Sequence, residues 1–189
     1  PAEEIICAVD PSGEGSDETS WAILASLGGR VFLLHQGASI EGHTEATLKS
    51  IATDCALWGV QLVKVESNFG GGMFSSLLRP HLTKANCLAD IEDAKTSNQL
   101  HKERRIVETL EPLMTSHRLV ANSGVFRTDF DVSHLKSVEE AKRRFYRLTY
   151  QLTRMTKQRG AVKHDDRADA LASAAAHFAE RMQQTLDKA

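Results

Sequence analysis

The sequence predicts an α/β fold, a mixed five-stranded sheet in which three antiparallel strands are followed by parallel ones, flanked by helices. Three observations predict it. Three consecutive strand-like runs are joined by short turns, which makes an antiparallel meander. The apolar period then changes to that of a helix before another strand appears, which requires a crossover and a parallel pairing. Finally, two strands end in an acid, and a late helix carries more acids in its first turn.

Glu4 to Asp10 is a short, partly β-branched apolar run ended by Pro11-Ser12-Gly13, as a buried central strand would be. Thr19 to Leu27 reads as the second strand, Gly28-Gly29 as a tight hairpin turn, and Arg30 to Ala38 as the third strand. From Thr44 to Trp58, Leu48, Ile51, Ala52 and Cys55 fall at helical spacing, with Thr44 as cap and Gly59 as stop. Val60 to Glu66 is the fourth strand. Paired beside the first, it would set Glu66 next to Asp10 at one sheet edge. A loop from Ser67 to Gly72 leads to a helix from Met73 to about Lys84, disturbed by Pro80, and Cys87 to Ile91 is the fifth strand. A long helix is expected from Asn98 to His117, burying Ile106, Leu110, Leu113 and Met114 and carrying Pro112 near its end. Arg118 to Ala121 is a short strand-like piece, and Asn122 to Ser137 is polar and irregular. Two helices close the chain, Val138–Lys157 and Asp166–Gln184, the second with a Leu171, Ala175, Phe178 and Met182 stripe. Trp21 and Trp58 read as core.

A chain of 189 residues with 41% hydrophobic and 25% charged residues suits one medium domain with a real core. Residues 1–189 are therefore expected to be a single domain. Beginning at Pro1 almost directly on a core strand, the chain is expected to be excised from a longer protein. A net charge of -2 neither announces nor excludes a nucleic-acid partner, because a local basic face matters more than the sum. Cys7, Cys55 and Cys87 are far apart and lie in apolar contexts, so they read as reduced core residues of an intracellular protein. No stretch approaches the roughly 20 apolar residues that span a membrane.

The acids carry the chemistry. Asp10 stands at the mouth of a rigid strand, where it serves either as a metal ligand or as an Asx-turn acceptor. Within Lys163-His164-Asp165-Asp166-Arg167-Ala168-Asp169, residues three or four apart share a helix face, so Asp169 lies beside Asp165 or Asp166. Below Asp169, the small Ala172 and Ala176 let this helix lie close to a sheet. Asp165, opening the helix, also suits an N-cap. Asp169 lies past the reach of capping and has poor helix propensity, which favours ligation. Asp10, Glu66, Asp166 and Asp169 then form a set whose mutual repulsion calls for protons or cations. Hard divalent ions prefer such oxygens, and two of them about 3.5–4 Å apart would activate water against a phosphodiester.

The order of elements and acids resembles the ribonuclease H-like arrangement, and within it the C-terminal nuclease domain of phage terminase large subunits of the T7-like podophage type. The resemblance rests on Val9-Asp10-Pro11-Ser12-Gly13 with Asp17-Glu18-Thr19, and on Glu66-Ser67-Asn68-Phe69-Gly70 with Gly72-Met73-Phe74. It continues with Thr109-Leu110-Glu111-Pro112 and His117-Arg118-Leu119-Val120, then with His164-Asp165-Asp166-Arg167 and Asp169-Ala170-Leu171-Ala172. It implies a DNA-cutting enzyme that opens concatemeric genomic DNA at the start and end of packaging, using two divalent ions, Mg²⁺ or Mn²⁺. Asp10 and Glu66 would be its strand acids and Asp169 its helical acid; Asp166 matches a position that varies between an acid and a His. The implied partners are double-stranded DNA, the packaging ATPase of the full-length protein, a small terminase subunit and the portal or procapsid. The implied place is the bacterial host cytoplasm. No P-loop signature is present, so the chain is expected to cut DNA without translocating it.

Around these acids, Asp165, His164 and Asp17 are candidates for an outer shell, Asp17 equally for ordering the first turn. Arg143, Arg144, Arg147, Arg154, Lys157 and Lys163 lead into the acid helix and suit either a DNA backbone or plain solvated surface. Tyr146 and Tyr150 among them read as packing. Gly70 and Gly71 follow a strand acid and could admit a phosphate backbone closely. Two other readings stand beside the nuclease: a RuvC-like junction resolvase or integrase sharing fold and acids, and a non-cleaving DNA-gripping module that docks to a motor.

Overall fold

A computed structural model of the chain describes residues 2–12, 17–67, 72–94, 101–131 and 135–186, the last five of these by backbone alone. Strands β1 (Glu4–Asp10), β2 (Thr19–Leu27) and β3 (Arg30–Ser39) form the expected meander. Gly28 and Gly29 both have positive φ, 57° and 72°, the backbone a two-residue hairpin turn requires. Helix α1 (Glu45–Trp58) starts on the Thr44 side chain, which accepts from the Thr47 N–H, and stops at Gly59 in the left-handed conformation. It carries the chain back to β4 (Leu62–Glu66), which pairs parallel to β1 with Val65 level with Val9.

Helix α2 (Met73–Lys84) runs through Pro80, because burial of Phe74, Leu78 and Leu82 outweighs one missing backbone donor. Helix α3 (Lys102–Thr115) runs through Pro112 in the same way. Strand β5 (Asp90–Ala94) begins three residues later than the sequence suggests. As an edge strand it is polar, and the apolar run before it lies outside the ladder. Among the described residues the sheet has six strands, not five: β6 (Leu119–Ala121) pairs parallel to β3, giving the order β5-β4-β1-β2-β3-β6. A three-residue edge strand is too short for its alternation to show.

The segment 122–137 is not wholly irregular. Asn122 accepts from the Gly124 N–H and starts α4 (Ser123–Thr128). The single helix expected over Val138–Lys157 is broken into α5 (Glu140–Arg143), a 3₁₀ turn (Arg144–Tyr146) and α6 (Leu148–Arg154), with Arg147 extended between them. Its break has a cause outside the segment. The Asp129 carboxylate accepts from the backbone N–H groups of Leu148 and Thr149, at 2.6 and 2.9 Å, and starts a new helix there. The last helix is α7 (Asp166–Leu186).

The alternation of β1 divides the core. Cys7 and Val9 face α1 and α2 together with Trp21, Ile23 and Val63. Ile6 and Ala8 face α3, α6 and α7, where Ala168, Ala172 and Ala175 let α7 lie close on the sheet with Leu171 and Phe178 buried. The three cysteines are free and buried. Met114 is 44% exposed and Trp58 half-buried, so neither is core as Trp21 is. The Met182 side chain lies outside the described residues. Among the described residues no helix is long and apolar enough to cross a membrane.

One buried ion cluster fixes α7 to the rest. The Arg167 guanidinium grips Glu18 with two bonds, 2.9 and 3.0 Å, and reaches Asp129 at 3.1 Å. All three side chains are at most 5% exposed. Gln151 adds a second tie, its carbonyl accepting from the Ala168 N–H at 2.9 Å. Removing one partner of such a set strands the others as buried charges, at a cost of about 3–5 kcal/mol. Arg167→Ala is therefore expected to lose that much in equilibrium denaturant unfolding, and Arg167→Lys to recover little, since an ammonium cannot reproduce the planar fork.

Candidate metal centre

The register that levels Val9 with Val65 brings Asp10 and Glu66 to the C-terminal ends of adjacent parallel strands. The first turn of α7 lowers Asp169 onto the same edge. One carboxylate oxygen from each of Asp10, Glu66 and Asp169 lies within 4.8 Å of the others. Asp169 is fully buried and the Asp10 side chain 13% exposed.

Two cations that sequence reasoning missed stand against this trio, both from the first turn of α3. Lys102 Nζ lies 3.3 Å from Asp10 Oδ2, 3.1 Å from Asp169 Oδ2 and 3.0 Å from Asp165 Oδ1. Arg105 Nη2 donates to both oxygens of Asp169, at 2.7 and 2.9 Å. The available signal was their position: cations in a first helical turn oppose the helix dipole and need a reason to be there.

Asp166 goes elsewhere. Its oxygen, one from Asp17 and a nitrogen of His164 lie within 4.8 Å of one another. Asp166 accepts from the Glu18 N–H at 3.2 Å, and His164 lies under the Tyr146 ring at 4.0 Å between centroids. The Asp165 carbonyl accepts the first α7 bond, from the Asp169 N–H, while its carboxylate pairs with Lys102. Of the basic residues, Arg144, Arg154, Lys157 and Lys163 are exposed, Lys157 lying 3.6 Å from Glu108. Arg143 donates to the Val138 carbonyl and Arg147 lies over the Phe130 ring. Tyr150 meets Phe145 edge to face. Gly70 and Gly71 fall outside the described residues.

Residues 9–119 match the family described as Terminase Bacteriophage T7, Ribonuclease H-like domain. The chain belongs to this family. It is 42% identical over 168 residues to the terminase large subunit of Enterobacteria phage T3, a match covering 89% of the chain but 28% of that relative. Among solved structures this terminase domain is similar to the human cytomegalovirus terminase nuclease domain, Mn-soaked and inhibitor-bound. The TM-score is 0.60 at 13% identity, over 94% of this chain and 83% of that one. It is also similar to a variant nuclease domain of the large terminase subunit of bacterial virus Sf6 with manganese and beta-thujaplicinol. There the TM-score is 0.58 at 10% identity, over 92% and 88% of the two chains. At such identity the likeness speaks for the fold, which is ribonuclease H-like.

Electrostatics in the terminase domain follow from crowding acids out of water. Burial holds the Asp10 carboxyl well above the usual range, Lys102 opposing and Asp169 and Glu66 adding to the rise. Burial likewise raises Asp169, against Lys102 and Arg105. Burial alone would lower Lys102, but Asp10, Asp169 and Asp165 overcome it and hold the ammonium charged. His164 is pushed down by burial, Asp17 opposing. Asp166 is pushed up to about 7 by burial, against Lys102 and the Glu18 N–H. A carboxyl whose folded value exceeds its unfolded one stabilises the fold fully below the unfolded value, and that stability disappears as pH rises through the folded one. Thermal melts in EDTA should therefore show the wild type losing stability between pH about 4 and about 7. Asp166→Asn should lose less, so the variant's advantage grows with pH across that window.

Proposed function

We propose that this domain is a divalent-metal-dependent endodeoxyribonuclease, the DNA-cutting part of a longer packaging protein. One observation carries the reading: three carboxylates from two strand ends and one helix converge within 4.8 Å, with two cations already drawn into them. The donor set suits hard divalent ions, being all carboxylate oxygen and mostly removed from water, with Lys102 and Arg105 offsetting part of its charge. Asp10, Glu66 and Asp169 would hold two ions, Mg²⁺ or Mn²⁺. Bound there, the ions would supply charge neutralisation at the scissile phosphate and a more acidic attacking water.

The protein's own contribution is placement. Asp10 and Glu66 are rigid because β1 and β4 are central strands with buried flanks. Asp169 is rigid because Arg105 holds both its oxygens while Arg167, two residues earlier, anchors the helix. Lys102 must withdraw for a cation to take its place. Its long stem allows that, and the released ammonium can then pair with a substrate phosphate oxygen. The exposed Arg144, Arg154, Lys157 and Lys163 would meet the DNA backbone.

The substrate is proposed to be concatemeric double-stranded phage DNA, cut when packaging starts and ends. The packaging ATPase, small terminase subunit and portal or procapsid would be partners in the bacterial host cytoplasm. The relation to the T3 terminase large subunit, of which the chain spans 28%, supports this setting.

Plasmid DNA incubated with the domain in Mg²⁺ or Mn²⁺, but not EDTA, should be nicked and linearised. Asp10→Ala and Asp169→Ala should each slow cleavage at least about 100-fold, ~2.7 kcal/mol of barrier. Full activity of Asp169→Ala would remove the helical acid from the mechanism. No cleavage by folded protein that still binds DNA would point to a gripping module, and a preference for four-way junctions to a resolvase. Lys102→Met should bind Mn²⁺ about tenfold tighter by calorimetry, ~1.4 kcal/mol of lost competition. Without metal it should melt at lower temperature, because three carboxylates lose their shared cation.

A further inference from the structure

We propose that Asp17, His164 and Asp166 form a second cation site, separate from the carboxylate trio, that takes a borderline divalent ion such as Mn²⁺ or Zn²⁺ in preference to Mg²⁺. The three side chains come from different places: the run into β2, the turn before α7, and the first residue of α7 itself. One ligating atom from each lies within 4.8 Å of the other two. The trio and this cluster share no residue.

The decisive atom is His164 Nδ1. It is buried and, among the described residues, has no hydrogen-bond partner, in a side chain only 3% exposed. Asp17 Oδ1 is near it at 3.4 Å, without hydrogen-bond geometry. A buried polar nitrogen left unpaired costs about 1–3 kcal/mol, so its orientation needs a reason. Stacking supplies the means of holding it: Tyr146 lies over the imidazole at 4.0 Å with 21° between planes. Asp166 is held from the other side, where the Glu18 N–H donates to Oδ2. Glu18 in turn is gripped by Arg167. Two of the three ligands are therefore pre-positioned by buried partners. Asp17, 68% exposed, is the one able to swing in.

The chemistry of the set selects the ion. One imidazole nitrogen and two carboxylates suit Mn²⁺ and Zn²⁺, whereas Mg²⁺ prefers all-oxygen ligands and keeps its waters. The trio, purely carboxylate, has the opposite bias. An ion here would tie the run into β2 to the first turn of α7, three residues from Asp169. It would thereby support the geometry of the neighbouring site without belonging to it.

The test is Mn²⁺ binding to the 189-residue chain, read by electron paramagnetic resonance of the free ion with Mg²⁺ in large excess to occupy the trio. Zn²⁺ binding by calorimetry under the same conditions provides a second probe. One Mn²⁺ or Zn²⁺ per chain is expected to persist in wild type. It should weaken about 10–100-fold in His164→Gln and in Asp17→Asn, and be unchanged in Glu66→Gln. Asp17 is exposed, so its variant cannot fail through the core. His164→Gln is checked by a metal-free melt, where a cooperative unfolding transition, as in wild type, shows that the variant is folded. No retained ion in wild type, equal binding by His164→Gln and Asp17→Asn, or equal loss in Glu66→Gln would each overturn the separate site. None of these readouts involves cleavage, so the nuclease reading stands or falls independently.

Discussion

The Arg167 guanidinium, buried between Glu18 and Asp129, is the interaction from which the rest of this domain takes its alignment. It joins three parts of the chain that sequence distance keeps apart: the entrance to β2, the residue after α4, and the first turn of α7. Each partner has a second duty. Asp129 starts α6 by accepting two backbone N–H groups. Glu18 offers its own N–H to Asp166. Bidentate arginine–carboxylate geometry is strong because both bonds are charge-assisted and the fork is planar. A buried cation shared by two anions is weak grounds for stability in itself, since its desolvation offsets most of the attraction. What it supplies is alignment, because this seating of α7 pairs all three charges.

That alignment matters because the edge it sets is electrostatically unfavourable. Asp10 and Asp169 are brought to half-buried Glu66 largely out of water, and burial and repulsion both raise the free energy of the two aspartates' ionised forms. Lys102 and Arg105 reduce that cost without removing it. The two strand acids sit where the sheet is least able to deform, and the helical acid is clamped through both oxygens. A site that binds hard cations must hold such repelling oxygens close before the cation arrives, and here the surrounding hydrogen bonds supply the restraint.

Much of the fold was readable because it depends on local periodicity. The alternation of β1, the glycine pair of the first hairpin, the Thr44 cap and the Gly59 stop are each decided within a few residues. The positions of Asp10 and Glu66 followed from strand ends plus one crossover. What could not be read depends on partners far away in the chain. The Val138–Lys157 pattern is helical throughout, and only a carboxylate 19 residues before Leu148 breaks it. Arg167 looks like any solvated charge in a helix until Glu18 is placed 149 positions away. Lys102 and Arg105 give a local hint, a basic first turn, but not the identity of the acids they meet. Strand β5 was misplaced because edge strands need not be apolar, so the hydrophobic run before it was the wrong guide.

Asp165, just before α7, and Asp166, Arg167 and Asp169 in its first turn show how one short segment can serve both alignment and chemistry. Successive residues on an α-helix point about 100° apart, from its 3.6 residues per turn. Asp166 and Arg167 therefore diverge into separate surroundings, whereas Asp165 and Asp169, four apart, share a face and meet the same Lys102. Asp165 reaches Lys102, Asp166 turns to His164 and the Glu18 N–H, Arg167 points into the core network, and Asp169 faces the strand acids. The like charges of Asp165 and Asp169 on their common face are offset by that shared ammonium. Asp165 and Asp169 share Lys102, Asp166 has the Glu18 N–H, and the positive end of the helix dipole favours all three acids at once. Rotation about one helix axis thus separates the structural charge from the site charges. Fixing Arg167 at the same time fixes the direction in which Asp169 points.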